Sequence, residues 1–150
     1  MTLKQLEQLQ HAHDCSKTQM RPDYVPVTKF SDKTANGLEK CIVAYINLNG
    51  GIAERRANTG RYIDDSKVIT DVSGFSRRLG TGKYIPGTGR NGTADCSGIY
   101  KGKPIAIEVK IGKDRQSEAQ KKYQQDFEKV GGIYIIAKTF TQFVEELNKV

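Results

Sequence analysis

Residues Gly92–Lys110, GTADCSGIYKGKPIAIEVK, form a pattern of two short strands joined by a polar turn at residues 101–103. The first strand carries Ala94, Cys96, Ile99 and Tyr100 around one acid, Asp95, and the second is an apolar run that ends in Glu-Val-Lys. Because strand side chains alternate between faces, Glu108 and Lys110 are expected on one face, about 6–7 Å apart along the strand. The hairpin is expected to return Asp95 to the neighbourhood of Glu108. The stretch therefore predicts two carboxylates and one ammonium group at a buried position.

Buried charges cost free energy unless they are paired or hold a metal ion. Two acids and a lysine suit Mg²⁺, which prefers oxygen ligands and keeps waters or substrate phosphate oxygens in its shell. Such an ion lowers the pKa of a bound water, and a nearby lysine stabilises charge on a phosphoryl group. This chemistry predicts metal-assisted hydrolysis of a phosphodiester. The alternative is a structural Glu–Lys pair on a half-exposed strand, with Asp95 in a turn.

Composition is compatible with one domain that has a polyanionic partner. The 150 residues include 24 Lys and Arg against 17 Asp and Glu, for a net charge of +7. That excess favours association with nucleic acid, and the lack of a long apolar run disfavours a membrane partner. Three cysteines without framework spacing, in a chain with no N-terminal signal peptide, predict a cytoplasmic, intracellular protein.

The chain resembles the PD-(D/E)xK nuclease superfamily, and within it the small VRR-NUC or Holliday-junction-resolvase-like proteins of phages and prophages. The resemblance is carried by Asp95, by Glu108-Val109-Lys110, by residues 117–120 and by residues 131–134. It extends over about residues 34–147. It implies an α/β fold with a restriction-endonuclease-like αβββαβ core, a mixed sheet flanked by helices, in a protein encoded by a bacterium or a phage.

The resemblance also implies the metal ligands. Asp95 and Glu108 would ligate Mg²⁺, with Mn²⁺ as a substitute, together with the backbone carbonyl of Val109. Glu39, which lies at the border of the apolar stripe of a predicted helix, fits the additional acid of the family and would hold a second metal ion or a metal-bound water. An ordinary surface glutamate is the competing interpretation for Glu39. No small-molecule organic cofactor is expected.

Two further residues complete the expected catalytic set. Lys110 would align and activate water, and Gln120 would support the site by positioning the lysine, the water or the DNA backbone. Gln120 lies on the same helical face as Tyr123 and Phe127, which is expected to turn towards the sheet. The structural alternative is that Gln120 belongs to a capping box with Ser117.

The remaining elements follow from periodicity and from turn residues. Residues 1–28 are predicted to form an N-terminal helix and a connector, and residues 29–150 the nuclease domain. In chain order we expect a helix from about 31–34 to 49–51, a strand over 51–62, a long substrate-facing flap over 63–91, the central hairpin, a helix from 117, a strand over 133–137 and a helix from about 141.

Basic residues outside the acidic group are candidates for phosphate contacts. Three are clustered near the end of the strand predicted over 51–62, one precedes the central hairpin, and two lie in the loop after Lys110. A solvated basic edge is the alternative for the first cluster. The candidate nucleic-acid-binding residues are Arg55, Arg56, Arg61, Arg90, Lys113 and Arg115.

The expected function is that of a metal-dependent endodeoxyribonuclease. The resemblance implies DNA as partner, a homodimer, cleavage that leaves a 5′-phosphate and a 3′-hydroxyl, and a preference for junctions or flaps in recombination and repair. The alternatives are a nicking, restriction-like or RNA-directed nuclease, and a non-catalytic nucleic-acid-binding module on the same fold.

Overall fold

The computed structural model describes residues 1–56, 60–87 and 89–150. The chain divides into two compact units. The core unit contains Met1–Arg56 and Asn91–Val150, and the ribbon unit contains Ala57–Arg90. In the sequence, the ribbon unit is thus an insertion between two segments of the core unit.

The helices of the core unit are α1 (Leu3–Ser16), α2 (Ala35–Leu48), α3 (Glu118–Lys129) and α4 (Phe140–Asn148), with a short 3₁₀ helix over Pro22–Tyr24. The strands, in chain order, are β1 (Ile52–Arg55), β2 (Arg61–Asp64), β3 (Lys67–Thr70), β4 (Ser76–Leu79), β5 (Gly82–Ile85), β6 (Cys96–Tyr100), β7 (Lys103–Val109) and β8 (Ile133–Ala137). Each α-helix begins after a serine or threonine whose hydroxyl accepts a hydrogen bond from a backbone N–H of the first turn; these caps are Thr2, Thr34, Ser117 and Thr139.

The core unit contains a four-stranded mixed sheet with the order β1-β6-β7-β8. The β1–β6 and β6–β7 pairs are antiparallel, whereas β7 and β8 run parallel and are connected through α3. In the ribbon unit, β2 pairs with β5 and β3 pairs with β4, both antiparallel.

Helices cover both faces of the mixed sheet. The larger hydrophobic cluster joins α1, α2 and α4 to residues of one sheet face, among them Cys96, Ile105 and Ile107. The smaller cluster joins Tyr123 and Phe127 of α3 to Ala94, Ala106 and Tyr134 on the other face. The alternation of β7 side chains between the two clusters follows from the two-residue period of a strand. The prediction of an α/β fold with a mixed sheet flanked by helices is confirmed.

The boundaries of most predicted elements agree with the structure, but the strand predicted over 51–62 is too long. Strand β1 ends at Arg55, and Arg61 begins β2, which belongs to a different sheet. The sequence Asn-Thr-Gly, which ends at residue 60, is typical of a turn or loop that separates two strands. Part of the predicted strand, residues 57–59, lies outside the described residues. The predicted flap over 63–91 contains the end of β2 and all of β3–β5.

The N-terminal helix packs into the core unit. Leu6 of α1 is fully buried and belongs to the larger cluster with residues of α2 and α4. Glu7, next to it, accepts a hydrogen bond from the backbone N–H of Phe30 at 3.0 Å and pairs with Lys29 at 3.2 Å. The segment after α1 is therefore fastened to the helix. Among the described residues, no helix combines the length and the apolar character needed to cross a membrane.

Candidate active site

The β6–β7 hairpin positions the two central acids. Its two-residue turn, Lys101-Gly102, has positive φ at both residues (48° and 76°), as a tight hairpin turn requires. The ladder pairs Cys96 with Ile107, so the next position along the same register brings Asp95 opposite Glu108. Beyond it, the backbone N–H of Val109 donates a hydrogen bond to Asp95 Oδ2 at 2.8 Å. The hairpin thus returns Asp95 to the end of β7, as the sequence pattern predicts.

Glu108 is a buried carboxylate held by three donors. Its side chain is 1% exposed. Gln120 Nε2 donates to Oε1, Lys110 Nζ lies 3.0 Å from the same oxygen, and the hydroxyl of Tyr134 donates to Oε2 at 3.3 Å. Burial raises the pKa of Glu108 above its ordinary value, the hydrogen bond from Lys110 opposes this rise, and the negative charge of Asp95 adds to it. Because donors hold both of its oxygens, the Glu108 carboxylate is fixed in one orientation next to Asp95.

Lys110 supplies the positive charge of this group. Its side chain is buried, and Nζ bridges Glu108 Oε1 and Asp114 Oδ2, the latter at 3.3 Å. Burial alone lowers the pKa of an ammonium group, but the hydrogen bonds and the negative charges of Glu108 and Asp114 outweigh burial, so the pKa of Lys110 is raised. Lys110 therefore remains a cation at neutral pH.

Gln120 combines two interactions in one side chain. Its Oε1 accepts the backbone N–H of Ser117 at 2.9 Å, which completes the capping box of α3. Its Nε2 donates to Glu108. The capping role and the contact with the acidic group, which the sequence presented as alternatives, therefore coexist.

Glu39 is a buried residue of α2 that is paired with Arg55 of β1. The Arg55 Nε to Glu39 Oε2 distance is 2.5 Å, and Arg55 also donates to Asn36 Oδ1 at 2.6 Å. The pKa of the buried Cys96 thiol is raised to about 12, first by burial and then by the negative charges of Glu39, Asp95 and Glu108. The charges of all three acids thus act on one buried thiol of β6, and Glu39 is paired with an arginine.

The other basic candidates lie in different surroundings. Arg56 donates its backbone N–H to the carbonyl of Asp95 at 2.7 Å and its Nε to Ser97 Oγ at 2.7 Å, so it is anchored beside the acidic group. Lys113 and Arg115 are exposed in the loop between β7 and α3. Arg61 and Arg90 are exposed residues of the ribbon unit.

Two partners of the acidic group do not follow from the sequence. Tyr134 lies within an apolar strand, and its contact with Glu108 depends on the parallel register that pairs it with Ala106. Asp114 follows Lys110 by four residues in an irregular loop, where spacing does not define a face. For the contact of Tyr134 with Glu108, the only sequence signal is a polar hydroxyl in an otherwise aliphatic strand. For the contact of Asp114 with Lys110, the sequence gives no signal.

The donor set of the acidic group fits a hard divalent cation. No cluster of three or more His, Cys, Asp or Glu side chains arranged for a metal ion is found in the described part of the chain. Mg²⁺ requires fewer side chains, because one or two carboxylates commonly hold it together with waters and substrate phosphates. Asp95 and Glu108 supply that number. The chemistry of these oxygens is compatible with Mg²⁺ or Mn²⁺.

No protein-family model matches the sequence, and no curated protein matches it.

Proposed function

We propose that this protein is a metal-dependent endodeoxyribonuclease with a restriction-endonuclease-like core. The observation that carries the proposal is the buried pair of Glu108 and Lys110 beside the half-buried Asp95, in which a 1% exposed carboxylate is paired with a lysine and lies next to a second acid. Stability alone does not explain such a group, because a buried ion pair often stabilises a fold no more than apolar side chains of similar size would. Functional sites are the common place for groups of this kind.

In this proposal Asp95, Glu108 and the carbonyl of Val109 hold Mg²⁺ or Mn²⁺. When bound, the ion supplies positive charge that stabilises negative charge on the phosphoryl group. Lys110 orients and activates the attacking water. Its Nζ lies 3.0 Å from Glu108 Oε1, so the ammonium group is held next to a proposed metal ligand. Gln120 and Tyr134 fix the orientation of Glu108 through their hydrogen bonds.

The basic residues are proposed to hold the DNA backbone. Arg56, Lys113 and Arg115 belong to segments that adjoin the acidic group in the core unit. Arg55 uses Nε and one terminal nitrogen for Glu39 and Asn36, and a guanidinium has further donors that remain for a phosphate. Glu39 is proposed as the additional acid, which the pairing with Arg55 holds in place. Branched DNA as substrate, a homodimer as the active form, and an intracellular setting remain part of the proposal.

The proposal is tested with a labelled four-way junction and its matched linear duplex, each incubated with Mg²⁺ or with EDTA. We expect cleavage by the wild type in Mg²⁺ alone, and a loss of at least about 10³-fold for Asp95→Asn, because asparagine removes the ligand charge. The asparagine carbonyl still accepts the Val109 N–H, so the variant is expected to keep its fold, which circular dichroism checks.

The outcomes separate the alternatives. Cleavage of the junction alone supports a resolvase-type substrate, and equal cleavage of both DNAs supports a nuclease without junction preference. Equal activity of wild type and Asp95→Asn, or activity that persists in EDTA, contradicts the assigned site. Binding without cleavage in both Mg²⁺ and Mn²⁺ contradicts the enzymatic proposal and leaves a binding module.

Gln120→Glu separates the capping role of Gln120 from its role at Glu108. Glutamate is a regular partner in a capping box, but it cannot donate a hydrogen bond to Glu108 and adds a negative charge beside it. We expect DNA cleavage to fall by about 10–100-fold, as is common when a residue that orients a metal ligand is changed. The matched control is Gln124→Glu on the same helix. If Gln120→Glu cleaves at the wild-type rate, the orienting role of Gln120 is wrong.

A further inference from the structure

The ribbon unit is a single long β-hairpin. The β2–β5 ladder runs from Arg61 opposite Ile85 to Asp64 opposite Gly82, and the β3–β4 ladder continues it from Lys67 opposite Leu79. Two residues separate the two ladders on each strand, 65–66 and 80–81, so both ladders belong to one antiparallel register. The hairpin closes in a turn where the backbone N–H groups of Ser73 and Phe75 donate to Asp71 Oδ1 at 2.9 and 3.0 Å. The described residues from 61 to 85 therefore form one two-stranded ribbon whose ladder is interrupted at residues 65–66 and 80–81.

The two faces of the ribbon differ in charge. Residues directly opposite each other share a face, and successive residues alternate between faces. On one face, which we call the basic face, every paired position joins one cation to one aliphatic side chain: Arg61 with Ile85, Ile63 with Lys83, Lys67 with Leu79, and Ile69 with Arg77. The four cations are exposed, and none forms an ion pair within the part of the chain that the structure describes.

The opposite face is neutral and packs on itself. Its paired positions join Tyr62 to Tyr84 and Val68 to Arg78, and Arg78 lies 3.9 Å from Asp64. A Cβ placed at Gly82 would collide with the ring of Tyr62, so that ring covers the glycine of the neighbouring strand. The tyrosines thus stabilise the ribbon from one side. The basic face carries the four cations against one acid, Asp65, which follows Ile63 on the same face, so the basic face keeps an excess of positive charge.

We propose that the basic face of the ribbon unit binds the phosphate backbone of duplex DNA. This inference rests on the proposed function, because it gives the same DNA substrate a second binding surface. The cations occupy alternate strands at four levels along the ribbon, and the outer two levels are about 27 Å apart at the rise of a strand. That length corresponds to about eight base-pair steps at a rise of about 3.4 Å.

Charge and shape both favour DNA over a second copy of the chain. Two basic faces placed against each other repel, whereas a polyanion neutralises all four cations and releases its counterions. A two-stranded ribbon is narrow enough to enter a major groove of about 12 Å width, which brings both of its edges near phosphates. A two-stranded hairpin is only marginally stable alone, so binding along its length also stabilises it.

The test compares two neighbouring arginines that lie on opposite faces. Arg77→Gln removes a cation from the basic face, and Arg78→Gln removes the same charge from the neutral face. Binding of the full chain to a fluorescent duplex is measured by anisotropy in EDTA, over a series of salt concentrations. We expect Arg77→Gln to weaken binding about three- to tenfold and to reduce the slope of log affinity against log salt by about 1. We expect Arg78→Gln to change the affinity by less than about twofold.

A second variant enlarges the effect. Replacement of Arg61, Lys67, Arg77 and Lys83 together by glutamine is expected to reduce the salt slope by about 3–4. All four side chains are exposed, so the melting temperature should remain near that of the wild type. Equal effects of Arg77→Gln and Arg78→Gln, an unchanged slope in the fourfold variant, or an absence of DNA binding at low salt overturn the inference.

The result is independent of catalysis. If the chain binds DNA through the basic face but cleaves nothing in Mg²⁺ or Mn²⁺, the inference stands and the nuclease proposal fails. If the chain cleaves DNA and the ribbon variants bind as the wild type does, the nuclease proposal stands and the inference fails.

Discussion

Lys110→Met is expected to lower the rate of DNA cleavage by on the order of 10³-fold while DNA binding persists. Methionine keeps most of the length and the apolar stem of lysine but has no charge and no donor. The lysine Nζ lies 3.0 Å from Glu108 and 3.3 Å from Asp114, so its removal takes the only cation out of the group of residues 95, 108, 110 and 114. Single-turnover cleavage in Mg²⁺ and anisotropy in EDTA measure the two quantities separately.

The control for this variant is Lys103→Met, which removes the same charge from the other, exposed end of the same strand. We expect its cleavage rate to remain within about twofold of the wild type. Lys110→Met also leaves the buried Glu108 with only its two neutral donors, so some loss of stability is expected, and both variants are compared well below their melting temperatures. A folded Lys110→Met protein that cleaves within tenfold of the wild-type rate contradicts the assigned role of Lys110.

The fold of the core unit is largely readable from the sequence because its elements have a hydrophobic period. The apolar run that begins at Ile105 and the run over Ile133–Ala137 are buried strands, and the sequence identifies both. The ribbon lacks this signal. On its basic face, lysine and arginine alternate with isoleucine and leucine across the strands, so neither strand shows the apolar-in, polar-out pattern of a sheet packed on a core. The sequence therefore predicts a flap with short helical or strand pieces, and not a defined hairpin.

The site is predictable to the extent that it is local. Asp95, Glu108 and Lys110 come together through one tight hairpin, and Gln120 follows on the first turn of the next helix. The remaining contacts depend on tertiary packing. The hydroxyl of Tyr134 reaches Glu108 only because of the register between two parallel strands, and the pairing of Glu39 with Arg55 depends on how α2 lies over the edge strand β1. Neither relation is encoded in a short spacing.

The packing of α1, which the sequence predicts as an N-terminal helix followed by a connector, bears on the stability of the core unit. Leu6 is 0% exposed and lies in the larger hydrophobic cluster with residues of α2 and α4. Leu6→Ala is therefore expected to lower the free energy of unfolding by about 2–5 kcal/mol, through lost burial and a residual cavity. For a chain of this size, each kcal/mol corresponds to about 2–4 °C in melting temperature. Urea unfolding followed by circular dichroism measures the change.

The matched control is Gln8→Ala, an exposed position of the same helix, where alanine is a good helix former and the expected change is below about 0.5 kcal/mol. A single cooperative transition for Leu6→Ala, shifted to lower urea, means that α1 unfolds together with the mixed sheet. A shift below about 1 kcal/mol, or a first transition that leaves most of the signal intact, means that α1 detaches without unfolding the sheet. In that case the burial of Leu6 adds little to the stability of the core unit, and the hydrogen bond of Glu7 with Phe30 serves only to hold the connector to the helix.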